Sequence, residues 1–246
     1  QKLNKLYLCR DRFGEKPLYY GLKNNVLFFS SELNVLNTSQ FPRNLDRKSL
    51  DLYLKYGYVP SPLSIFENIE KVAPGQIISI NLESLIITKK MYYNFALEIN
   101  NIKPDHSITD DNIIDKFQNS FNDTINSQTL SDIGYGVFLS SGTDSTLISA
   151  LLSKDSPKKI DTFTIKIDDP EYDEYEKAKK ISKALNTNFH YNEINSKNLI
   201  DKIDILPDVY DEPFSDSSQI PTFLISEFAK KEVTVILSGD GADEVF

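Results

Sequence analysis

The sequence predicts an α/β protein in two parts, an α+β region followed by a parallel sheet with helices on both faces. Short β-like runs separated by turn residues dominate residues 1–99. From residue 112 onward, apolar strand-like runs alternate with segments of helical periodicity, an order typical of a parallel sheet. Two polar, glycine-containing loops directly follow strand-like runs in this second part, where such sheets bind ligands.

Three strands and one helix are predicted in the first part. The strands are at residues 6–9, 26–29 and 76–80. A helix is predicted over residues 49–58, because Leu50, Tyr53 and Leu54 fall on one side of it. The polar stretch at residues 100–111, which contains a proline, is predicted to link the two parts.

The second part is predicted to contain four strands and five helices. The strands are at residues 135–139, 160–167, 188–194 and 233–237. The helices are at residues 113–127, 145–152, 171–186, 196–206 and 218–231. In the third helix, Tyr175, Ala178, Ile181 and Leu185 recur every three or four residues and form one apolar face.

Composition and charge exclude several classes of protein and of binding partner. No apolar run approaches the roughly 18 residues of a membrane span, and the N-terminal residues of this sequence contain no signal-peptide h-region. A single cysteine excludes an intrachain disulfide and favours a reducing, cytoplasmic location. The net charge of −9 argues against nucleic acid as a main partner. We therefore expect small-molecule substrates, with neither nucleic acid nor membrane as a partner.

Charge is also unevenly distributed along the chain, which supports two domains. Residues 1–100 are net basic, whereas the remainder is strongly acidic. An acidic domain can bind a polyanion through a metal ion.

The two loops of the second part together indicate a nucleotide site. The first, SSGTDS at residues 140–145, lies between a strand and a helix, where backbone N–H groups and the helix N-terminus can bind a phosphate. Alone, it is equally compatible with a solvated turn. The second, SGDGADE at residues 238–244, carries acids that suit a cation bound to such a phosphate.

The sequence of the first loop matches neither of two common phosphate-binding motifs. No lysine follows its glycine, as the Walker pattern requires, and the dinucleotide fingerprint GxGxxG is absent. It resembles the pyrophosphate loop SGGxDS, with Ser141 in place of the first glycine. If this position needed a positive φ, the serine Cβ would cost about 1–2 kcal/mol.

Six segments in consistent order resemble the glutamine-dependent asparagine synthetase family, and the resemblance covers essentially the whole chain. Residues 10–21 (RDRFGEKPLYYG), 30–33 (SSEL) and 72–75 (VAPG) resemble the glutaminase domain of that family. Residues 172–174 with 188–190 (YDE and NFH), 211–218 (DEPFSDSS) and 238–246 resemble its synthetase domain.

The resemblance implies an incomplete glutaminase domain and a truncated ATP-binding domain. Residues 1–99 would be the C-terminal part of an N-terminal-nucleophile (Ntn-type) α+β glutaminase. Residues 100–111 would be a linker. Residues 112–246 would be an ATP pyrophosphatase-type α/β domain cut at its C-terminal end. Both chain ends are interpreted as cut.

The resemblance also implies a two-step reaction that uses ATP and Mg²⁺. An acceptor carboxylate, aspartate in the type enzyme, attacks the α-phosphate of ATP and releases pyrophosphate. Ammonia from glutamine then displaces AMP from the acyl-adenylate. A homodimer of the full-length protein is compatible with this family.

The resemblance assigns roles to individual residues of this sequence. ATP would be bound by Leu139, Ser140, Ser141, Gly142, Asp144, Ser145, Ile165, Ser238 and Gly239. Asp144 and Asp243 would hold the metal, and Asp144 and Asp240 would be catalytic. The acceptor would contact Asp211, Asp216 and Ser217, although the serines and acids at residues 215–218 also suit a helix N-cap. Asp240 stands where asparagine synthetases commonly have glutamate.

The glutaminase nucleophile of the family is an N-terminal cysteine, and this chain begins with Gln1. Cys9 is predicted to be a packed strand residue, since nothing near it in the sequence would favour a thiolate. We therefore expect the isolated chain to lack glutaminase activity and to be a poor synthetase. His190 is predicted to be a hydrogen-bonded structural residue, and His106 a solvated one in the linker.

Two alternatives to aspartate amidation remain open. One is an amidotransferase of the same family that acts on another carboxylate, such as a sugar uronic acid. The other is a non-catalytic nucleotide-binding module, which would bind ATP without exchanging pyrophosphate.

Overall fold

The chain forms two compact units in the computed structural model, which describes residues 4–103, 109–130, 133–169, 173–195 and 199–242. The N-terminal unit consists of Gln1–Pro104 and Ile205–Asp216, and the C-terminal unit of Asp105–Asp204 and Ser217–Phe246. The chain therefore leaves the C-terminal unit for twelve residues and then returns to it. In the described part of the chain, no helix is long and apolar enough to cross a membrane.

Among its described residues, the N-terminal unit contains two antiparallel sheets of three strands. Its strands are β1 (Lys5–Cys9), β2 (Tyr19–Lys23), β3 (Val26–Ser30), β4 (Ile69–Lys71), β5 (Gln76–Asn81) and β6 (Ile87–Met91). The sheets have the orders β1–β5–β6 and β3–β2–β4. The helices are α1 (Arg47–Tyr56) and α2 (Phe95–Asn101), with a 3₁₀ helix at Leu33–Asn37.

The two sheets of the N-terminal unit share a core. One buried cluster combines side chains of both sheets, namely Leu8, Tyr20, Val72, Ile78 and Ile80. A second cluster packs Tyr19 and Phe28 against Leu33 and Leu36 of the 3₁₀ helix. Because successive strand residues point to opposite faces, Tyr19 and Tyr20 of β2 enter different clusters.

The described residues of the C-terminal unit form a four-stranded parallel sheet flanked by helices, as the alternating pattern predicts. Its strands are β7 (Tyr135–Phe138), β8 (Asp161–Ile167), β9 (Asn188–Ile194) and β10 (Val235–Leu237), in the order β10–β7–β8–β9. Its helices are α3 (Asp110–Gln128), α4 (Thr143–Asp155), α5 (Tyr175–Leu185) and α7 (Gln219–Ala229). The chain runs from β7 outward to β9, then returns to the other side of β7 as β10, so the strand order reverses between β7 and β10.

The helix predicted at residues 196–206 is wrong as one continuous element. Among the described residues of that range, 199–200 are helical, and a 3₁₀ turn at Ile203–Ile205 precedes α6 (Leu206–Val209). The chain changes unit at Ile205, and Pro207 in the first turn of α6 has no N–H to continue an earlier helix.

The inserted segment Ile205–Asp216 is held in the N-terminal unit by a buried ion pair. Glu212 Oε2 lies 2.5 Å from Lys71 Nζ, and both side chains are largely buried. The other carboxylate oxygen accepts the Ile65 N–H at 2.7 Å, and Lys71 Nζ also donates to the Val59 carbonyl at 2.6 Å. Each charge thus has an opposite charge and a further hydrogen bond, as a buried ion pair requires.

The segment that begins at Arg10 is organised by its own charged side chains. The Arg10 guanidinium donates to the carbonyls of Lys16 (2.9 Å), Val72 (2.9 Å) and Gly14 (2.7 Å). Gly14 has a φ of +73°, and a Cβ there would lie 2.8 Å from Pro74 Cγ, so only glycine fits. These three bonds link the loop to the strand that precedes it and to the end of β4.

We expect Arg10→Lys to lower the free energy of unfolding by roughly 2 kcal/mol, because one ammonium group cannot reproduce the planar fork that reaches three carbonyls. Urea unfolding followed by far-UV circular dichroism measures the change. The matched control is Arg12→Lys, since Arg12 is exposed and lies over the Tyr93 ring. Equal stability of the two variants would contradict the structural role of Arg10.

Candidate functional site

The loops that follow β7 and β10 meet at the edge of the parallel sheet where the strand order reverses. β7 and β10 are paired in parallel, so their carboxyl ends lie at the same edge. A Cβ added to Gly239 would lie 3.0 Å from Asp144 Cβ and 3.1 Å from the Ser145 backbone nitrogen. The missing side chain of Gly239 therefore lets the second loop pack directly on the first turn of α4.

The first loop is closed by hydrogen bonds between its two ends. Ser140 Oγ lies 2.8 Å from Ser145 Oγ, and the Ser140 N–H donates to the same Ser145 oxygen at 3.2 Å. Ser140 Oγ also accepts the Gly142 N–H at 3.0 Å. These bonds fix the loop between the last residue of the strand and the first turn of the helix.

The first turn of α4 provides donors for an anion. Gly142 is the N-cap, with extended backbone, and its carbonyl accepts both the N–H and the hydroxyl of Thr146. The N–H groups of the following three residues have no partner within the helix, because they precede its first hydrogen-bonded turn. Together with the helix dipole, they attract negative charge.

A cavity of about 500 Å³ lies between the loops and is of ordinary size for a small-molecule site. It is lined by Phe138, Leu139, Ser140, Gly142, Asp144, Ser145, Phe163, Thr164, Ile165, Ile167, Glu174, Ser218, Pro221, Thr222, Ile225, Ser238, Gly239 and Asp240. Phenylalanine and isoleucine side chains form an apolar wall, and the loops provide hydroxyl groups, backbone donors and carboxylates. The cavity can therefore enclose a ligand with an apolar ring and a polyanionic end.

Most of the residues assigned to ATP by resemblance border this one cavity. They are Leu139, Ser140, Gly142, Asp144, Ser145, Ile165, Ser238 and Gly239. Asp240 also lines it and accepts a hydrogen bond from Ser238 Oγ at 3.0 Å. Asp243 lies outside the described residues, so its metal role and its separation from Asp144, expected within about 4–8 Å for a shared ion, stay predictions.

Ser141 does not line the cavity, and its backbone does not have a positive φ. The cost considered for a serine in place of glycine therefore does not arise. Its hydroxyl donates to Glu174 Oε1 at 2.7 Å, and its N–H donates to Glu174 Oε2 at 3.3 Å. Sequence reasoning identified the segment containing Glu174 but not this contact, because 33 residues separate the two partners.

Thr164 is a second residue that the sequence did not single out. This buried side chain of β8 donates to the Leu139 carbonyl at 2.5 Å. The bond continues the contact of β7 with β8 into the first loop, where the Leu139 N–H donates to the Phe163 carbonyl at 2.9 Å. Thr164 thus fixes the point at which the loop leaves the sheet.

The residues predicted to contact the acceptor are divided between the units and do not line the cavity. Asp211 and Asp216 belong to the N-terminal unit, and Ser217 to the C-terminal unit. The Asp211 carboxylate accepts the Asn34 N–H at 3.2 Å, and burial raises its pKa. Asp211 therefore has a structural contact within the N-terminal unit, and the acceptor role of the three residues stays a prediction.

The structure describes Cys9 and His190, so the predictions for these two residues can be compared with it. Cys9 lies in β1 as predicted, but the expectation that it is packed is wrong, because it is exposed while the alternating Leu8 faces the core. His190 is confirmed as a structural residue, with Nε2 2.8 Å from Asp161 Oδ1 and its ring stacked on Phe163. His106 lies outside the described residues. The described part of the chain holds no group of three or more His, Cys, Asp and Glu side chains suited to a metal.

A larger cavity, of about 690 Å³, lies in the N-terminal unit, but none of the predicted site residues lines it. Its polar groups include Tyr20, Glu70 and Lys89, which are bonded to one another. Burial and the hydrogen bond to Glu70 raise the pKa of Tyr20 to about 12. Because the predicted site residues line the cavity between the two loops, we take that cavity as the candidate site.

Comparison with known families agrees with the two units. The family described as asparagine synthase matches residues 116–246, more than half of the chain, and the family described as a glutamine amidotransferase domain matches residues 1–93. The chain belongs to the asparagine synthase family.

Individual relatives match nearly the whole chain. A protein of Methanocaldococcus jannaschii, provisionally named glutamine-hydrolyzing asparagine synthetase 2, is 34% identical over 100% of this chain and 47% of its own length. Glutamine-hydrolyzing asparagine synthetase 1 of Bacillus subtilis is 32% identical over 98% of this chain and 37% of its own length. The chain thus spans less than half the length of these curated relatives.

The similarity of this chain to solved structures is weaker. An NH₃-dependent NAD synthetase from Campylobacter jejuni is 15% identical, covers 53% of this chain and 58% of its own, and has a TM-score of 0.38.

We expect Gly239→Ala to lower the free energy of unfolding of the C-terminal unit by about 1–3 kcal/mol, because the new methyl group meets backbone that cannot easily yield. Urea unfolding and faster amide exchange at the start of α4 both report the effect. Gly134→Ala is the matched control, since a Cβ there has no heavy atom within 4 Å. If both variants unfold like the parent chain, the two loops are not packed as described.

Proposed function

We propose that the C-terminal unit binds ATP and that the full-length protein amidates aspartate through an acyl-adenylate, releasing AMP and pyrophosphate. The observation that carries the proposal is the meeting of two polar loops around one cavity at the strand-order reversal. Membership of the asparagine synthase family supports the choice of reaction. The chain spans under half of its curated relatives, so the proposal concerns the full-length gene product.

In this proposal the ATP phosphates lie against the first loop. The donors are the N–H groups at the start of α4 and the hydroxyl groups of Ser140 and Ser145, whose hydrogen-bond partners are within the same loop. The adenine ring would lie along the apolar wall that includes Ile165 and Ile225. The polyanion would then lie at the positive helix end, and the base in the apolar part of the cavity.

A magnesium ion fits the donor set of this site. Mg²⁺ is commonly held by one or two carboxylates together with phosphate oxygens, and Asp144 lines the cavity at the end of α4 where phosphates would lie. Asp144 and the predicted ligand Asp243 would hold the ion. When bound, it would neutralise negative charge on the phosphate oxygens.

The chain's own residues would act on both steps of the reaction. An acceptor carboxylate oxygen forms a bond to the α-phosphorus as the bond to pyrophosphate breaks, and the loop donors stabilise the leaving charge. Ammonia nitrogen then attacks the acyl carbon, AMP leaves, and the nitrogen loses a proton. We propose that Asp240, which faces the cavity, orients the ammonia or the acceptor amine and takes up that proton.

The ammonia would come from glutamine. Residues 1–93 match the glutamine amidotransferase family, which supports this source. The hydrolysis step is proposed for the full-length protein.

A sugar uronic acid is the second acceptor class that we retain. Asp240 replaces the glutamate common in asparagine synthetases, and this residue borders the cavity. Acceptor-dependent ATP–pyrophosphate exchange by the full-length gene product, measured with aspartate and with several uronic acids in parallel, distinguishes the two classes. Exchange with aspartate alone supports amidation of aspartate. ATP binding without exchange for any acceptor would contradict both enzyme proposals and favour a binding module.

We expect Asp144→Asn to reduce ATP–pyrophosphate exchange by roughly a hundredfold or more, because it removes a carboxylate from a phosphate-bridging magnesium site. Asp111→Asn is the matched control, since both acids lie in the first turn of a helix. The loss of activity should occur without a change in the circular dichroism spectrum. Near-normal exchange by the Asp144→Asn variant would show that Asp144 is not a ligand of the metal.

A further inference from the structure

The Glu174 side chain, which lies directly before α5, contacts the first loop of the C-terminal unit through its carboxylate. Both of its oxygens are used, since Oε1 accepts the Ser141 hydroxyl at 2.7 Å and Oε2 accepts the Ser141 N–H at 3.3 Å. Glu174 also lines the cavity between the loops. An internal anion therefore occupies two donors of the loop that is proposed to bind phosphate.

The backbone that carries Glu174 is fixed on both sides. Glu174 is the residue directly before α5, and the neighbouring Asp173 carboxylate accepts the N–H groups of Ile167 (3.3 Å) and Tyr175 (3.2 Å). These bonds connect the end of β8 to the beginning of α5. The Glu174 carboxylate can thus leave Ser141 by side-chain rotation alone, because the backbone is held by Asp173.

Ser141 differs from its neighbours in where its donors point. The Ser140 N–H and the Gly142 N–H are bonded to serine hydroxyls of the same loop. Ser141 instead donates both its N–H and its hydroxyl to an ionisable side chain 33 residues away. Carboxylate and phosphate oxygens accept the same kinds of hydrogen bond, so a phosphate could replace the carboxylate at this position.

We propose that Glu174 is a positioning residue that holds Ser141 in the nucleotide-free site and is exchanged for phosphate oxygens when nucleotide binds. The inference rests on the proposed function of the C-terminal unit. A carboxylate and a polyphosphate repel each other when they approach the same donors, so Glu174 lowers the affinity for ATP and pyrophosphate. It would thereby favour release of the pyrophosphate product.

The opposing interpretation is that Glu174 is a static brace for the loop. It predicts a change in phosphate affinity of the opposite sign. If Glu174 only shapes the loop, its removal disorders Ser141 and weakens the binding of phosphates. If Glu174 competes with phosphate, its removal strengthens binding. The direction of the change in affinity therefore separates the two roles.

The test is the dissociation constant of the full-length gene product for inorganic pyrophosphate and for MgATP, measured by isothermal titration calorimetry. Glu174→Gln keeps the size of the side chain and removes its charge, and we expect about tenfold tighter binding of both ligands. Ser141→Ala removes a donor that the carboxylate uses in the free site and phosphate uses in the bound site, so we expect its affinity to change by less than about threefold. In the Ser141→Ala background, Glu174→Gln should again tighten binding, because the carboxylate still competes for the Ser141 N–H.

Glu176→Gln controls for the loss of charge. Glu176 is exposed in the first turn of α5, two residues from Glu174. We expect its affinity to change by less than about twofold, since a solvent-exposed charge away from the ligand is screened. An equal gain for Glu176→Gln and Glu174→Gln would overturn the inference, because the effect would then be one of net charge.

The remaining outcomes separate the inference from the proposed function. If the parent chain binds pyrophosphate or MgATP and Glu174→Gln binds them equally or more weakly, competition by Glu174 is wrong while the nucleotide site stands. If none of the five proteins binds either ligand, both proposals are overturned. Should Glu174→Gln fail to fold, as judged by circular dichroism, Glu174→Ala decides in its place, and unchanged or weaker binding by that variant overturns the inference.

Discussion

The packing of Gly239 on the first turn of α4 is the contact on which the candidate site depends. Parallel pairing of β10 with β7 brings two loops to one edge of the sheet, but any larger residue than glycine would hold them apart. Close approach allows the hydroxyl groups of the first loop and the carboxylate of Asp240 to face the same cavity. The geometry thus follows from strand order, which sets the direction of the loops, and from one absent side chain, which sets their distance.

The segment Ile205–Asp216 shows how electrostatics can decide to which unit a stretch of chain belongs. The Glu212–Lys71 ion pair and the bond from Asn34 to Asp211 hold it in the N-terminal unit. Both acids are partly buried against partners far away in sequence. Asp211, which the family resemblance assigns to the acceptor, therefore also has a structural contact, and its substitution would affect stability as well as any binding.

The sequence was sufficient to predict the parallel sheet, its strand positions and nine of the eighteen residues around the cavity. Strand-like runs end at Leu139 and Leu237, and the loops that follow them carry the polar residues. The short strands β2, β4 and β6 were not predicted. β4 has only three residues, and β6 is mostly polar and exposed, so neither has a periodic pattern. The Asn24-Asn25 turn, which follows β2, has a positive φ at both residues and is a hairpin signal. Contacts between distant residues, such as Glu174 with Ser141, depend on tertiary structure and leave no local pattern.

Ser141 and Glu174 are best understood together. Taken alone, a serine in place of the first glycine of SGGxDS suggests a weakened phosphate loop, but its backbone avoids the left-handed region where glycine would be needed. The serine hydroxyl adds a second donor beside the N–H, and the two match the two oxygens of one carboxylate. Glycine would offer only the N–H. The departure from the family pattern therefore adds a contact to the loop, and that contact ties the loop after β7 to the start of α5.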